Sequence, residues 1–198
     1  MSAPGKTVFE LNEDDANFTG LHIANDHDIK RAVREHRFRG ATIVDTWRPM
    51  AIAPVRDASY LTNRKPVGDC SVIYGTIPVF SAKAADCLIN FLAPNGELLP
   101  MDFLGEEWFG FNVTTVVDVL DHSCSQVVYF PGTSRAMLID RYAFVPGSIQ
   151  HAIFKIPEDL SVTLVTEEFM NAVLAARLGG LAFKKVWSLG RNLDAAPK

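Results

Sequence analysis

Four residues within seven positions of the sequence could carry chemistry: Asp118, Asp121, His122 and Cys124. Carboxylate, imidazole and thiol groups are common metal ligands and common partners in nucleophilic catalysis. A turn is the third interpretation, because Asp and Ser side chains bond readily to nearby backbone groups. The elements that hold the four residues decide among a metal site, a catalytic cluster and a turn.

The four residues lie between two apolar runs in the stretch FNVTTVVDVLDHSCSQVVYF. Alternation in the first run predicts a strand over 111–120 that places Asp118 between apolar neighbours on one face. The run QVVYF predicts a second strand. The five residues DHSCS then form a hairpin corner, in which Asp121 bonds to the backbone and His122 and Cys124 lie at the loop tip.

A cysteine nucleophile needs a histidine held beside it by the fold and a third group that orients that base. Adjacent positions of one loop rarely supply this geometry, so the hairpin corner is the favoured interpretation. A small hydrolase using Cys124 and His122 remains the alternative. Asp118 needs a separate explanation, because an unpaired buried carboxylate is costly. An arginine partner, exposure to solvent or use by a binding partner would each supply one.

The chain lacks the strong sequence signatures of enzymes and nucleotide binders. There is no GxxxxGK[ST], GxGxxG, HExxH or GxSxG motif and no pair of CxxC motifs. The five histidines are scattered, and none shows the spacing of paired metal ligands. We therefore expect no catalytic residue, no metal site and no cofactor.

Composition favours a folded protein that works in the cytoplasm. The 198 residues suggest a single domain, and 48% apolar with 21% charged residues is typical of a soluble globular chain. A net charge of −4 argues against a dedicated nucleic-acid binder. The sequence shows no apolar signal segment and no run of membrane-spanning length, so we expect no membrane contact. Three cysteines without CxxC spacing predict reduced thiols.

One order of signals occurs twice: a strand, a hydroxyl cap, a helix, a stop and a second strand. The first copy begins at Ile77, with Ser81 as cap and AKAADCLINFL as helix; the second begins at Leu160, with Thr166 as cap and EEFMNAVLAARL as helix. Runs of strands with helices set apart predict an α+β fold. We expect mainly antiparallel sheet with a few helices packed against it, and a possible duplicated strand–helix–strand unit.

The first third of the chain differs from the rest. Residues 1–65 are predicted as an N-terminal helix, a strand and an irregular segment, continuous with an α+β core over 66–190 and followed by a flexible tail at 191–198. NDHDIKRAVREHRF predicts the helix, capped by Asp26 or Asp28, and GATIVDTW the strand. Arginines crowd this region, and a solvated helix face explains them better than a basic patch.

Charge is distributed unevenly in the middle of the chain. From Ala84 to Ser134 there is no Lys or Arg, whereas aromatic residues in EEWFGF flank two glutamates. Carboxylates beside aromatic anchors predict a protein-binding surface for a basic partner, although buried aromatics with solvated acids fit equally well. The predicted contacts, led by the first three, are Glu106, Glu107, Trp108, Asp118, Asp121, Glu97 and Asp102.

Four segments together resemble the Imm11/DUF1629 family of bacterial immunity proteins over roughly residues 65 to 187. They are KPVGDCSVIYGTIPVFSAKAADCL, LLPMDF, FGFNVTTVVDVLDHSCS and LVTEEFMNAVLAARLGGLAFKKV. The matching positions are Pro78, Val79, Ser81, Asn112, Val113, Asp118, Leu120, Asp121, Thr166, Phe169, Gly180 and Phe183. The resemblance implies a cytosolic antidote that binds and neutralises a cognate toxin domain, often a nuclease, by occlusion and without catalysis. A non-enzymatic regulatory binding protein is a further alternative.

Overall fold

A computed structural model describes residues 7–56 and 65–189. The predicted tail at 191–198 and part of the predicted irregular connection, residues 57–64, lie outside this range. The described chain has a π-helical turn (Arg31–His36), a 3₁₀ turn (Val44–Thr46), three α-helices and twelve strands. The helices are α1 (Asp26–Lys30), α2 (Ala82–Leu92) and α3 (Glu167–Ala175). The strands are β1 (Thr7–Glu13), β2 (Leu21–Ile23), β3 (Met50–Pro54), β4 (Cys70–Ile73), β5 (Ile77–Ser81), β6 (Gly96–Phe103), β7 (Glu106–Val113), β8 (Gln126–Tyr129), β9 (Ala136–Arg141), β10 (Ile153–Ile156), β11 (Asp159–Thr166) and β12 (Leu181–Ser188).

The strands form two larger sheets and one separate hairpin. The first sheet has the order β10-β11-β1-β12, with every pairing antiparallel. The second has the order β2-β3-β6-β7-β5-β4, in which β3 and β6 are parallel. β8 pairs with β9 alone. The protein is therefore an α+β fold dominated by antiparallel sheet, as predicted. Strands from residues 1–65 lie in both large sheets beside strands from 66–190.

Both predicted strand–helix–strand units are present, and each occupies one sheet. In the second sheet β5 and β6 flank β7, and in the first sheet β11 and β12 flank β1. The central strand is antiparallel to both neighbours in each case, so each helix connects two strands that are parallel to one another. This is the arrangement of a split β–α–β unit.

The two helices share one hydrophobic core. The apolar stripe of α2 is buried at Ala84, Ala85, Leu88 and Leu92, as its helical spacing requires. In the same core α3 buries Phe169 and Val173. The ring of Phe91 on α2 meets that of Phe169 edge to face, with centroids 5.9 Å apart. The sheets are thereby joined through their helices.

Two predictions for the first third of the chain are wrong. GATIVDTW is not a strand, because the Glu97 carboxylate accepts the backbone N–H groups of Ile43 and Val44 and a 3₁₀ turn follows. The cap of α1 is Asn25, whose side chain accepts from Asp28 N. The arginine nearest that helix, Arg31, pairs with Asp28 at 2.7 Å.

The predicted strand over 111–120 ends early, at Val113. The N–H groups of Thr114 and Thr115 both bond to the carbonyl of Asn95, which turns the chain away from the sheet. The later segment instead runs beside other parts of the chain, through single bridges from Val116 to Lys155 and from Leu120 to Phe144. The predicted hairpin between 111–120 and QVVYF therefore does not form.

No helix within residues 7–56 and 65–189 combines the length and the apolar character needed to cross a bilayer.

Candidate functional site

Three exposed carboxylates surround the turn that joins β6 to β7. Asp102 lies directly opposite Glu107, and Glu106 follows the two-residue turn. Asp102 Oδ1 accepts a hydrogen bond from Gly105 N at 3.1 Å. None of the three carboxylates forms an ion pair with any residue that the structure describes. We call Asp102, Leu104, Glu106 and Glu107 the acidic tip.

Leu104 stands at the centre of the acidic tip and is 69% exposed. Its φ is 54°, and that of Gly105 is 92°. Two-residue turns with both φ values positive favour Asn-Gly, because a side chain such as leucine is strained there. Sequence reasoning missed Leu104, and its one signal was a Leu-Gly pair between two strand-forming runs.

The prediction that Trp108 is a surface contact is wrong. It is 3% exposed and lies opposite Met101 in the sheet. Its ring packs on that of Phe103, with centroids 5.1 Å apart. Side chains alternate between the faces of a strand, so Trp108 points away from the face of the exposed Glu107 and lies in the core with its buried pair partner Met101.

Glu97 lies at the opposite end of the β6–β7 hairpin, where it pairs with Asn112. Its half-buried carboxylate accepts from Asn112 Nδ2 at 2.8 Å and from Ile43 N at 3.0 Å. These bonds hold the 3₁₀ turn against the sheet. Glu97 therefore contributes to the fold and is left out of the acidic tip.

The turn chemistry predicted for Asp121 is confirmed. Its Oδ1 accepts from Ser123 N at 2.9 Å and from Cys124 N at 3.2 Å. The hydrogen bond from the Ser123 hydroxyl lowers the pKa of Asp121, and although desolvation raises it, the pKa stays below its usual value. Cys124 is exposed, and its Sγ lies 3.6 Å from Ser123 Oγ. Within the described chain no hydrogen bond joins Cys124 to His122, so a Cys–His dyad is not formed.

His122 instead lies near two carboxylates, Asp118 four residues earlier and Glu158, which is distant in sequence. Its Nε2 lies 3.0 Å from Glu158 Oε1, and its Nδ1 lies 3.3 Å from the Tyr129 hydroxyl. One ligand atom each from Asp118, His122 and Glu158 falls within 4.8 Å of the other two. Asp118 and His122 are exposed, whereas Glu158 is buried. We call Asp118, His122 and Glu158 the His122 cluster.

Glu158 was not predicted as a functional residue. It lies in the two-residue turn between β10 and β11, a position where a glutamate is normally exposed. The β8–β9 hairpin covers it, and Ala136 N donates to the Glu158 carbonyl at 2.8 Å. In the preceding strand Lys155 is also buried, and burial lowers its pKa to about 8. The turn-forming residues of the sequence do not by themselves predict the burial of Glu158 or of Lys155.

The acidic tip and the His122 cluster are separate places. Glu107 and Val113 lie near opposite ends of β7, and six residues of antiparallel strand span roughly 20 Å. Asp118 lies beyond Val113, and Glu97 lies at the Val113 end. The acids between 97 and 121 therefore do not form one continuous surface.

The β8–β9 hairpin adds an apolar surface. Val128 and Leu138 are paired across it and are 46% and 53% exposed. Contiguous exposed apolar area of this kind is a common feature of binding surfaces. The other exposed members are Tyr129, Phe130 and Met137.

Comparison with known proteins does not place the chain in a family. It matches no protein-family model, and no curated protein matches it. The resemblance to the Imm11/DUF1629 family therefore stays a prediction.

Proposed function

We propose that this chain is a binding module that recognises a basic protein surface through its acidic tip. The observation that carries the proposal is the direct opposition of Asp102 and Glu107, with Glu106 preceding Glu107 in the chain. Like charges placed opposite one another across a strand pair destabilise a sheet by roughly 0.2–1 kcal/mol. No described cation relieves this repulsion. A basic partner would relieve it.

Leu104 suits the centre of such an interface. Protein interfaces combine an apolar centre with a polar rim, and here an exposed leucine lies in the turn between Asp102 and the two glutamates. Its left-handed backbone works against folding, and strain of this kind concentrates at binding sites. Leu104 would supply contact area, and the carboxylates would accelerate association.

The particular function we propose is that of an immunity protein, which neutralises a cognate bacterial toxin domain by direct occlusion. The motif resemblance supports this assignment, and a toxin that acts on nucleic acid would present the basic surface that the tip requires. Carboxylates would then lie where the phosphates of the nucleic acid bind. The chain would act in the cytoplasm as a non-enzymatic antidote, without contacting nucleic acid or membrane itself.

Occlusion requires a toxin, and the neighbouring gene should encode it. We expect an adjacent reading frame with a secretion-linked N-terminal part and a small basic C-terminal domain. Co-expression of that domain with this chain should restore growth, and the two purified proteins should form a complex. A complex with a basic protein that is not a toxin would favour the regulatory alternative.

Neutralising the tip should slow binding. Glu106→Gln with Glu107→Gln should lower the association rate about tenfold at low salt, because steering by charged rims acts on that rate. The matched control is Glu167→Gln with Glu168→Gln, an exposed pair at the start of α3. Surface plasmon resonance at several salt concentrations measures both. Equal association rates for the two double variants would show that the acidic tip is not the interface. The apolar β8–β9 surface would then be the next candidate.

Leu104 can be tested separately from charge. Leu104→Asn should stabilise the turn by about 0.5–1 kcal/mol, because asparagine tolerates positive φ, and should nevertheless increase the dissociation rate. Tyr74→Asn is the control, since Tyr74 is also exposed with a φ of 53° in a hairpin turn. It should gain similar stability in thermal melts and leave dissociation unchanged. A Leu104→Asn variant with wild-type dissociation would remove Leu104 from the interface.

Substitution of Cys124 distinguishes occlusion from the hydrolase alternative. Cys124→Ala should leave both binding and protection unchanged, because Cys124 has no histidine partner among the described contacts. Loss of protection with intact binding would overturn occlusion in favour of catalysis.

A further inference from the structure

We infer that Asp118, His122 and Glu158 form a binding site for a divalent transition-metal ion, Zn²⁺ or Mn²⁺ being the best matched. The site is independent of the acidic tip and of the function proposed for it. Three elements bring the ligands together: the segment after β7, the turn that follows it, and the β10–β11 turn.

The spacing of the ligand atoms suits one ion. Metal–ligand bonds from His and carboxylate groups are about 2.1 Å long, so two ligand atoms on one ion are about 3.0 Å apart at octahedral angles and about 3.4 Å apart at tetrahedral angles. His122 Nε2 and Glu158 Oε1 lie 3.0 Å apart. All three ligand atoms lie within 4.8 Å of one another. Asp118 and His122 are exposed, which leaves their side chains room to adjust around an ion.

The burial of Glu158 supports a bound ion independently of the spacing of the ligand atoms. Its side chain is 8% exposed, and its other carboxylate oxygen, Oε2, is buried without a hydrogen-bond partner in the described part of the chain. A buried carboxylate needs pairing, and leaving one oxygen unsatisfied is costly. Among the described residues, Glu158 forms its ion pair with the exposed His122, which is charged only when protonated. A divalent ion would compensate the buried charge whatever the state of the imidazole.

Tyr129 supports the same interpretation. A metal-binding histidine usually makes a hydrogen bond through its other ring nitrogen, which fixes the orientation of the ring. The Tyr129 hydroxyl lies 3.3 Å from His122 Nδ1, on the side away from the cluster. In the tautomer whose Nδ1–H donates to the Tyr129 oxygen, the Nε2 lone pair is directed toward Glu158 and would bind the ion.

The ligand set defines the class of metal. Ca²⁺ and Mg²⁺ prefer sites built from oxygen alone, whereas one imidazole with two carboxylates suits Zn²⁺ or Mn²⁺. Three protein ligands leave at least one position for water or for a group of a bound partner, and two of the three ligands face solvent. The site is therefore open to solvent and not enclosed like a structural zinc site.

Calorimetric titration of the full chain with Zn²⁺, and electron paramagnetic resonance with Mn²⁺, test the site. We expect one ion per chain, no comparable binding of Mg²⁺, and a higher melting temperature with Zn²⁺. His122→Gln and Asp118→Asn should each weaken Zn²⁺ binding by more than about 100-fold, and Tyr129→Phe by about tenfold. Both ligand positions are exposed, so these variants should fold.

Matched controls separate the site from adventitious surface binding. His151→Gln replaces another exposed histidine, and Asp140→Asn another exposed aspartate; both should bind Zn²⁺ like the wild type. Glu106→Gln with Glu107→Gln should also leave Zn²⁺ binding unchanged, so failure of this site and failure of the acidic tip can be told apart.

Two results would overturn the proposal. One is Zn²⁺ and Mn²⁺ affinity that is unchanged in both His122→Gln and Glu158→Gln. The other is the absence of one-to-one binding in the wild type, which would leave His122 and Glu158 as a simple ion pair.

Discussion

The two strand–helix–strand units have the same order of elements but different means of holding their helices. β5–α2–β6 lies in the second sheet and β11–α3–β12 in the first, and each pair of strands flanks a central antiparallel strand. The helices meet in one core. Their ends, however, are satisfied by different groups.

The helix starts differ in their caps. Ser81 Oγ accepts from Ala84 N at 3.2 Å, which satisfies one of the free donors at the start of α2. Thr166 occupies the same position before α3, as predicted, but makes no side-chain cap bond, and its buried hydroxyl has no hydrogen-bond partner among residues 7–56 and 65–189. Glu167 and Glu168 in the first turn of α3 supply favourable charge instead.

The helix ends differ more. After α2, the Asn95 side chain donates to Phe91 O at 2.8 Å. After α3, Gly179 and Gly180 pack directly on other backbone: Cys70 N donates to Gly179 O, and Asp14 N donates to Gly180 O. One unit therefore ends its helix with a side chain, and the other with close backbone contact. The same local pattern can be completed by different long-range contacts.

The largest expected effect concerns the glycine end of the second unit. A Cβ on Gly180 would lie 1.8 Å from the Cys70 carbonyl oxygen, and the residue has a φ of 106°. Gly180→Ala should therefore destabilise the protein by about 3 kcal/mol or more, or prevent folding. Gly75→Ala is the control, because Gly75 also has positive φ but open space around it; it should lose about 1 kcal/mol. Chemical denaturation measures both, and similar losses would show that backbone contact is not decisive.

A substitution of intermediate expected effect is at Asp69, whose side chain bonds to both units. Its carboxylate accepts from Lys83 Nζ on α2 at 2.8 Å and from Gly179 N at 3.2 Å. Burial raises the pKa of Asp69, but the Lys83 and Gly179 hydrogen bonds outweigh it, so the pKa lies below its usual value. Asp69→Asn should lower the free energy of unfolding at neutral pH by about 1–2 kcal/mol. Asp86→Asn on the exposed face of α2 should change little.

The pH dependence follows from the direction of that shift. Because the folded pKa is lower than the unfolded value of about 3.9, the carboxylate contributes fully above that pH. Its contribution is lost as the pH falls through the folded pKa. The free energy of unfolding of the wild type, measured in urea, should therefore fall below about pH 4. Its difference from that of Asp69→Asn should shrink over the same range. A constant difference across this range would exclude the carboxylate charge as the cause.

The smallest expected effect compares the two caps. Ser81→Ala should cost about 1 kcal/mol, because it removes a cap bond. Thr166→Val should be neutral or stabilise by up to about 1 kcal/mol, because it removes a buried hydroxyl without a partner. Equal losses from both substitutions in thermal melts would show that the caps are equivalent.

The parts of the fold that were predicted correctly depend on neighbours in sequence. The bounds of α2 follow from its apolar stripe, its Ser81 cap and Pro94, which are all local signals. Where a distant group competes for the backbone, prediction failed. The Glu97 carboxylate accepts the backbone N–H groups of Ile43 and Val44, which were predicted to lie in a strand. The Asn95 carbonyl accepts the N–H groups of the two residues after Val113, so β7 ends there. A sequence pattern does not contain those contacts.

The candidate sites divide in the same way. The sequence alone determined the α+β class, the repeated unit and the Asp121 turn, because propensity, periodicity and capping act over a few residues. It also showed that the middle of the chain lacks basic residues. Only the tertiary structure buried Trp108, exposed Leu104, separated the acidic tip from Asp118, and brought Glu158 to His122. These outcomes depend on strand register and on packing between elements distant in sequence, which local signals do not specify.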